Sequence, residues 1–416
     1  MLKTILPAAV LLAASLPCNA APVVISVDTA FPEYIKMHKA VADAFMKTHP
    51  NILVKFSVPA NTYDELLQRE LRDEITGNEA DVTFQSYNFV QQLVDRKLAA
   101  PLDNFIAAEP NWSKLGYLPN ITTMARVNGT IYGLPFNTSI PFIYYNLDLA
   151  KKAGWDVAKL PQSWPEVVKM SKGVSGKFGP GTGLYFDYYY IVGNLSFDAM
   201  LKGQGGAMMS ADLKRITFNG PEGMAALETL QQFGASGMMD TTRDQALQSF
   251  KAGKLGIYAS TSGLIDDFRK ASMASGFKLG CSAFPLPNPG GHFPAGGNAG
   301  IILTRDPAKQ QAAWEYLKFA SGEVGQFLVS YTGYIPTNAR VFENPEFTAN
   351  RYSDPCFKIA VDQLPHISAP FTFPGPNAQR ISNALRDLMR KVVTQQQTPP
   401  QTMPQMVDAV KRMLPN

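Results

Sequence analysis

The chain has 416 residues, 45% of them hydrophobic and 17% charged. This composition excludes an intrinsically disordered chain, and the length favours two folded lobes over one core. The net charge is only +4, and the Lys and Arg residues form no run that could track a phosphate backbone. We therefore expect no nucleic-acid partner.

Residues 1–20 have the pattern of a signal peptide. Lys3 precedes an apolar segment at residues 5–16, and small residues lead up to a cleavage site after Ala20. Removal of Lys3 leaves 37 basic and 34 acidic residues, a net charge of +3. A lipoprotein modified at Cys18 is the alternative, although the preceding proline disfavours it. This signal peptide predicts export to the periplasm, and no later stretch has the ~18 uninterrupted apolar residues of a membrane span.

Two cysteines remain after this cleavage, Cys281 and Cys356. An exported protein can oxidise them, but the sequence does not give their separation in space. A disulfide and two separate buried thiols therefore both stay open.

Strand and helix patterns alternate at the start of the mature chain. Buried strands are predicted at residues 23–27, 52–56 and 80–84, with amphipathic helices between them, one at residues 63–75. This alternation predicts an α/β fold with a parallel sheet and helices on its faces. Ligands of such sheets bind beyond the carboxyl ends of the strands. The segments there are residues 28–31, the loop before Tyr63 and residues 85–88.

Residues 132–146 indicate a strand that leaves one lobe and enters another. Pro135 and Pro141 enclose a short polar segment, and prolines keep such side chains out of a regular ladder. The buried run at residues 142–145 then starts the second lobe. Polar groups held where two lobes meet suit a small-molecule cleft. A plain loop between two strands is the alternative.

Two further crossings are predicted, at residues 260–263 and near residue 319. Residues 277–284 and 301–304 are predicted as strands that complete the first sheet. Three crossings give two discontinuous lobes, each a β-sheet flanked by helices, and this arrangement suits hinge closure around a ligand. The predicted division is residues 21–135 and 263–318 for lobe 1, and residues 136–262 and 319–416 for lobe 2.

The sequence carries no pattern for catalysis or for metal binding. Its four histidines show no metal-ligand spacing, and no Gly-x-Ser-x-Gly elbow surrounds a serine nucleophile. The glycine-rich residues 179–183 lack the lysine of a phosphate-binding loop. We therefore predict a binding protein rather than an enzyme, with no metal and no cofactor.

Several short motifs occur in one order along the chain. They are GNEAD at residues 77–81, LPFNTS at 134–139, YYN at 144–146, KAG at 152–154, SW at 163–164, GG at 296–297 and TGYIP at 332–336. Through them the mature chain resembles the extracellular solute-binding proteins of ABC importers, in particular the branch that binds glycerol-3-phosphate and glycerophosphodiesters. The resemblance implies a two-lobed periplasmic binding protein, a monomer that delivers its ligand to a permease heterodimer with a cytoplasmic ATPase.

The resemblance also implies which residues bind the ligand. Its phosphate would contact hydroxyl, backbone and guanidinium donors from Tyr63, Ser139, Thr261, Gly297, Tyr334 and Arg380. Arg380 would pair with two phosphate oxygens, and the N–H of Gly297 would approach closely because glycine has no Cβ. Tyr87 stands where the family's glycerol-3-phosphate binders have a glutamate for the glycerol hydroxyls. This departure leaves a glycerophosphodiester or a sugar as alternatives to glycerol-3-phosphate.

Each of these residues could instead have a purely structural role. Arg380 heads an amphipathic helix and could be solvated, Tyr334 could pack in a turn, and Thr261 could cap the following helix. Gly297 could belong only to a turn before a strand. The aromatic run at residues 185–190 could stack on a sugar, enclose a choline-like cation or pack as a wall. Signalling to a chemoreceptor is a further role that the sequence does not separate from transport.

Overall fold

The computed structural model describes residues 21–189 and 194–415, so the predicted signal peptide lies outside the described residues. The strands are β1 (Val23–Asp28), β2 (Ile52–Phe56), β3 (Val82–Ser86), β4 (Arg126–Val127), β5 (Thr130–Ile131), β6 (Gly133–Ser139), β7 (Pro141–Asn146), β8 (Leu184–Phe186), β9 (Ile257–Thr261), β10 (Leu279–Ala283), β11 (Phe293–Pro294), β12 (Gly296–Ile302) and β13 (Ile367–Ser368).

The α-helices are α1 (Ile35–Thr48), α2 (Tyr63–Thr76), α3 (Val90–Asp95), α4 (Asp103–Ala108), α5 (Pro119–Thr122), α6 (Leu147–Lys152), α7 (Trp164–Phe178), α8 (Leu195–Gly203), α9 (Pro221–Ala235), α10 (Arg243–Lys251), α11 (Ile265–Ser275), α12 (Pro307–Ser321), α13 (Glu323–Ser330), α14 (Arg340–Glu343), α15 (Pro345–Phe347), α16 (Pro355–Asp362), α17 (Ala378–Val393) and α18 (Pro399–Met413). Over the described residues, none of these helices is both long enough and apolar enough to cross a bilayer.

The first sheet has the strand order β2-β1-β3-β12-β6. β1 pairs in parallel with β2 and β3, and β12 runs antiparallel between β3 and β6. Each face carries its own core: Phe45 of α1 packs in one and Leu66 of α2 in the other. The predicted alternation of parallel strands and helices is confirmed, as is a strand near residue 301 that completes this sheet.

The second sheet has the strand order β10-β7-β9-β8. β7 is buried along its whole length and lies antiparallel to both of its neighbours. Helices α7, α9 and α17 contribute Trp164, Phe233 and Leu385 to one core with it. The prediction that residues 277–284 complete the first sheet is wrong. An apolar run predicts a strand but not its partner, and β10 pairs with β7, which is distant in sequence.

The chain first passes between the sheets at Ile140. β6 ends at Ser139 and β7 begins at Pro141, so the predicted crossing within residues 132–146 is confirmed. Ser262 forms hydrogen bonds with both the carbonyl and the N–H of Ile140. Its N–H donates to the carbonyl of Ile140 over 2.9 Å, and its hydroxyl accepts the N–H of Ile140 at 3.2 Å.

The other two passages come later in the chain than predicted. Residues 260–263 stay beside the second sheet, and the chain returns to the first sheet only between β10 and β12. Tyr334 packs in a core of the first sheet and Ile335 in the core of the second, which places the third passage there rather than near residue 319. We propose lobe boundaries that follow the sheets, with residues 21–139 and 296–334 in lobe 1 and residues 141–295 and 335–415 in lobe 2.

A disulfide joins Cys281 in β10 to Cys356 in α16, with their Cα atoms 5.5 Å apart. The pairing decides between the two alternatives that the sequence left open. The cysteines are 75 residues apart in the chain, and a cross-link of this span typically contributes about 2–4 kcal/mol by restricting the unfolded state. An ion pair between Asp266 and Arg351, at 2.8 Å, ties α11 to the same C-terminal region.

Glu70 is a buried carboxyl group of the first lobe. It accepts hydrogen bonds from the hydroxyl of Thr83 and, at 3.0 Å, from the side-chain amide of Gln85. Burial raises the pKa of Glu70 to about 7, the two hydrogen bonds oppose this rise, and the nearby carboxylate of Asp28 adds to it. Gln85, which the sequence places at the ligand end of β3, is therefore committed to Glu70.

We predict that Glu70 makes the folded state less stable as the pH rises. The folded protein holds this proton more tightly than the unfolded chain, whose glutamate pKa is near 4.5. The stability that this proton contributes is therefore fully present below about pH 4.5 and is lost as the pH rises through about 7, a change of about 3 kcal/mol. Urea unfolding between about pH 4 and pH 8 measures it, with Glu70→Gln as the matched variant. An equal pH slope in both proteins contradicts this assignment.

Candidate ligand-binding site

A cavity of about 250 Å³ lies between the two sheets, where the ends of three strands meet. Ser139 ends β6, Thr261 ends β9, and Gly297 lies at the start of β12. Hydroxyl groups, aromatic rings and carboxylates form most of the lining. A wider, more open cleft of about 550 Å³ beside Lys114 shares none of these residues, so size alone does not identify the site.

Five of the residues that the resemblance implies line this cavity together: Tyr63, Ser139, Thr261, Gly297 and Tyr334. They come from both lobes, and the first and last of them are 334 − 63 = 271 residues apart in the chain. Two of the segments expected beyond the carboxyl ends of the strands also contribute, through Phe31 and Thr62. The three crossings of the chain therefore bring these side chains to one place.

Arg380 does not lie in the lining. It is exposed on α17, where its guanidinium donates to Oδ1 of Asn377 over 3.4 Å. The buried arginine of this helix is Arg386, which is 9% exposed and whose Nε has no partner among the described residues. Six helical residues correspond to about 240° of rotation, so the two arginines lie on different faces. The buried positions Leu385 and Met389 are a sequence signal that marks the face of Arg386.

Tyr87 lies behind the cavity rather than in its lining. Its hydroxyl donates to the carbonyl of Asn137 over 3.0 Å and so holds the backbone of β6. The neighbouring Asn88 donates its side-chain amide to the carbonyl of Phe371 at 3.4 Å. These side chains support the wall of the site, and their polar groups are already paired.

Arg243 supplies a guanidinium to the lining. Its Nε lies 3.4 Å from Oδ2 of Asp187, which also accepts the hydroxyl of Ser260 at 3.0 Å. Burial is the largest single influence and lowers the pKa of Arg243, but Asp187 together with Tyr258, Tyr34 and Glu33 outweighs it, so the pKa of Arg243 lies above its ordinary value. Asp187 thus orients a permanently charged group at the cavity. Neither residue was among the predicted site residues.

Two helices direct their N-terminal turns at the cavity. α2 begins at Tyr63 with Thr62 as its N-cap, and α10 begins at Arg243 with a capping box between Thr242 and Gln245. Such turns carry unpaired N–H groups and a partial positive charge, so they favour an anionic group. The sequence predicts a helix at residues 244–252, and the Thr-x-x-Gln spacing is the signal that fixes where α10 begins.

The hydroxyl of Tyr63 is positioned to donate to a ligand. It accepts a hydrogen bond from Nδ2 of Asn298 at 2.8 Å, and Asn298 is itself held by a 3.0 Å bond from its N–H to Oδ1 of Asn137. One lone pair of the Tyr63 hydroxyl is therefore used as an acceptor, while its proton stays available for donation. Burial raises the pKa of Tyr63 and of Tyr334 above the ordinary value, so both phenols remain protonated donors.

Gly297 occupies a position that no other residue fits. Its φ is +114°, and a Cβ there would lie 2.2 Å from the carbonyl oxygen of Asn137. Pairing of β12 with β6 sets Gly297 opposite Thr138 and causes this close approach. The resemblance implied that Gly297 is needed so that its N–H can approach the ligand closely. In the structure, the contact that requires a glycine is the one between Gly297 and the backbone of β6.

Within the aromatic run, residues 185–188 form part of the wall of the cavity. Tyr185, Phe186 and Tyr188 are buried in the second core, which fits the packing alternative for these three rings. Asp187 between them is the residue that reaches the cavity. Tyr190 lies outside the described residues.

The comparisons with known proteins agree with this architecture. A family model described as bacterial extracellular solute-binding protein matches residues 40–352. The chain belongs to this family. The glycerol-3-phosphate-binding periplasmic protein UgpB of Agrobacterium fabrum is 28% identical over 250 residues, which cover 56% of this chain and 55% of that protein. The predicted family is thus confirmed.

Two solved structures share the fold. UgpB from Mycobacterium tuberculosis in complex with glycerophosphocholine superposes with a TM-score of 0.82 and 18% identity, over 94% of this chain and 98% of that one. Maltose-bound MalE3 of T. maritima superposes with a TM-score of 0.79 and 20% identity, over 94% and 100%. The two-lobed fold is therefore shared by proteins that bind a phosphodiester and proteins that bind a sugar.

Replacing Gly297 by alanine should distort the cavity. The added Cβ meets a backbone carbonyl, so β12 must shift away from β6, at a cost of about 1–3 kcal/mol in stability and at least tenfold in ligand affinity. Thermal unfolding and ligand titration measure the two effects. The matched control is Gly77→Ala, which also has a positive φ, +68°, but has no atom within 4 Å of the new Cβ. Equal losses of affinity in both variants contradict the role given to Gly297.

Proposed function

We propose that this substrate-binding component of an ABC importer captures a glycerophosphodiester in the periplasm and delivers it to a membrane permease. The observation that carries the proposal is the composition of the 250 Å³ cavity. Donors for a phosphate group and groups suited to a cationic or hydroxylated substituent line the same enclosed space. The comparisons support the fold and the family, and the choice of ligand rests on the side chains.

The phosphate would lie near Arg243 and the hydroxyl donors. Arg243 brings a fixed positive charge, and Ser139 and Thr261 add hydroxyls from the ends of two strands. Tyr63 donates from the first turn of α2, and the first turn of α10 adds its unpaired N–H groups. Neutral donors around one guanidinium can hold a phosphate oxyanion without a metal.

The carboxylates of the lining favour a diester over a monoester. Asp64, Asp187 and Asp244 line the cavity together with the guanidinium of Arg243. A phosphodiester carries one negative charge, whereas glycerol-3-phosphate carries close to two at neutral pH and would meet stronger repulsion. A cationic alcohol substituent would be attracted by Asp64 and Asp244.

A neutral sugar is the second candidate. Three carboxylates against one guanidinium make a lining rich in hydroxyl acceptors, and the rings of Tyr34 and Tyr334, with centroids 5.1 Å apart, offer apolar faces. Carboxylates and aromatic faces suit the hydroxyls and the apolar face of a sugar ring. This candidate needs no role for Arg243 beyond its pairing with Asp187.

Isothermal titration of the purified protein separates these ligands. We expect one-to-one binding of glycerophosphocholine, binding of glycerol-3-phosphate at least about tenfold weaker, and no heat with maltose. Glycerol-3-phosphate should bind more weakly because its second negative charge meets three carboxylates, and maltose should not bind because it has no charge to pair with the guanidinium of Arg243. Heat from maltose alone overturns the phosphodiester proposal in favour of a sugar, and tighter binding of glycerol-3-phosphate overturns the preference for the diester.

Arg243→Ala should weaken phosphodiester binding by about 2–4 kcal/mol, because it removes the guanidinium and leaves the buried Asp187 unpaired. Asp187→Asn separates these two effects, since it keeps the arginine and removes the carboxylate charge. Arg380→Ala is the matched control, because Arg380 is exposed and lies outside the lining. Calorimetric affinities for all three variants test this. Similar affinities of the Arg243 and Arg380 variants exclude a phosphate contact by Arg243.

A further inference from the structure

Six lysines gather on one surface of the second lobe, which we call the lysine surface: Lys151, Lys152, Lys159, Lys169, Lys172 and Lys177. All six are exposed and lie on α6, on α7 or on the loop between them. Direct contacts join the two ends of this surface. Lys177 donates to the carbonyl of Lys152, and Nζ of Lys169 lies 6.0 Å from the ring centroid of Trp155.

The carboxylates beside these lysines are used by the backbone. Asp148 accepts the N–H of Lys278 at 3.1 Å, Asp156 that of Ala158 at 3.1 Å, and Glu166 that of Gln162 at 2.8 Å. Within residues 21–189 and 194–415, none of the six lysines has a carboxylate within 4.0 Å of its amino group. Glu166 interacts with Lys169 only at longer range, and Asp148, Asp156 and Glu166 against six lysines leave this surface a formal net charge of 6 − 3 = +3.

The lysine surface lies away from the cavity. β7 runs from Pro141, beside the crossing, to Asn146, and α6 begins at the next residue. A strand of this length spans about 20 Å, which places α6 at the far end of the second lobe. A ligand in the cavity therefore does not account for these charges.

Exposed apolar side chains border the same surface. Phe178, the last residue of α7, is 38% exposed, and Met239 is 55% exposed, with its sulfur beside Gly181. Lysines next to exposed aromatic and thioether groups are the combination that an anionic lipid surface attracts: the charges interact with headgroups and the apolar groups enter the interface.

We propose that the lysine surface associates reversibly with anionic lipid headgroups. Six lysines within a Debye length of a charged bilayer act together, so the association should depend steeply on salt. An acidic protein segment is the other chemistry that could neutralise lysines, but it gives no reason for the exposed Phe178 and Met239. The proposal is independent of the ligand in the cavity.

Co-sedimentation with vesicles tests the proposal. The exported protein is mixed with phosphatidylcholine vesicles that contain either none or about 30% phosphatidylglycerol, at ~20 mM and ~300 mM salt. Intact mass first establishes that the apolar residues 5–16 are absent, since they would bind vesicles themselves. We expect at least about fivefold more bound protein on anionic vesicles at low salt than at high salt, and none above background on neutral vesicles.

A charge-reversal variant locates the effect. Lys151→Glu, Lys169→Glu and Lys172→Glu together should reduce binding to the level of neutral vesicles. The matched control is Lys36→Glu, Lys39→Glu and Lys47→Glu on α1, which changes the net charge equally at exposed positions of the other lobe. If the first variant unfolds on heating earlier than the control, Lys172→Glu alone replaces it and should still halve the binding.

Three results overturn the proposal. The first is a wild-type protein that anionic vesicles do not retain. The second is an equal loss of binding in both triple variants, which means that only net charge matters. The third is retention by immobilised poly-glutamate without retention by vesicles, which assigns the surface to an acidic protein.

Discussion

The structure depends on how the backbone of β6 is held where it leaves the first sheet. The carbonyl groups of Phe136, Asn137, Thr138 and Ile140 accept hydrogen bonds from Gln326, Tyr87, Ile335 and Ser262, respectively. Buried carbonyls must be paired, and here the donors come from every part of the chain that meets at the crossings. β6 is an edge strand that pairs only with β12, so the carbonyls that β12 does not reach need donors from outside the sheet.

This arrangement is also what positions the site. Ser139 and Thr261 end two strands that converge on Ile140, and the rigid crossing leaves their hydroxyls facing the space between the lobes. Gly297 closes the same space because β12 approaches β6 too closely for any Cβ. The residues that support the fold and the residues that line the cavity are therefore neighbours along the same strands. A change at the crossing should alter both stability and the shape of the site.

The sequence predicts well what depends on local pattern. Alternating strands and helices, the crossing within residues 132–146 and the family motifs all follow from short-range spacing. It predicts poorly what depends on pairing between distant segments: β10 joins β7, and the second and third passages lie later than the pattern indicated. Arg380 and Arg386 illustrate the same limit. The order of the motifs placed an arginine on α17, but only the buried face of this helix shows that Arg386 points inward and Arg380 does not.

The cavity and the outer surface of the protein differ in charge. The lining contributes one guanidinium and three carboxylates, so the cavity itself is not basic, although the whole chain carries a charge of +4. A basic chain therefore does not imply an anion-binding cleft, and an anion here must rely on directed donors rather than on a positive field. The excess positive charge lies instead on surfaces such as the lysine surface, where six lysines outnumber the three carboxylates beside them. The residues proposed to select the ligand and the lysines proposed to attract anionic lipids therefore lie in different parts of the molecule. Substitutions in one set should leave the function of the other set unchanged.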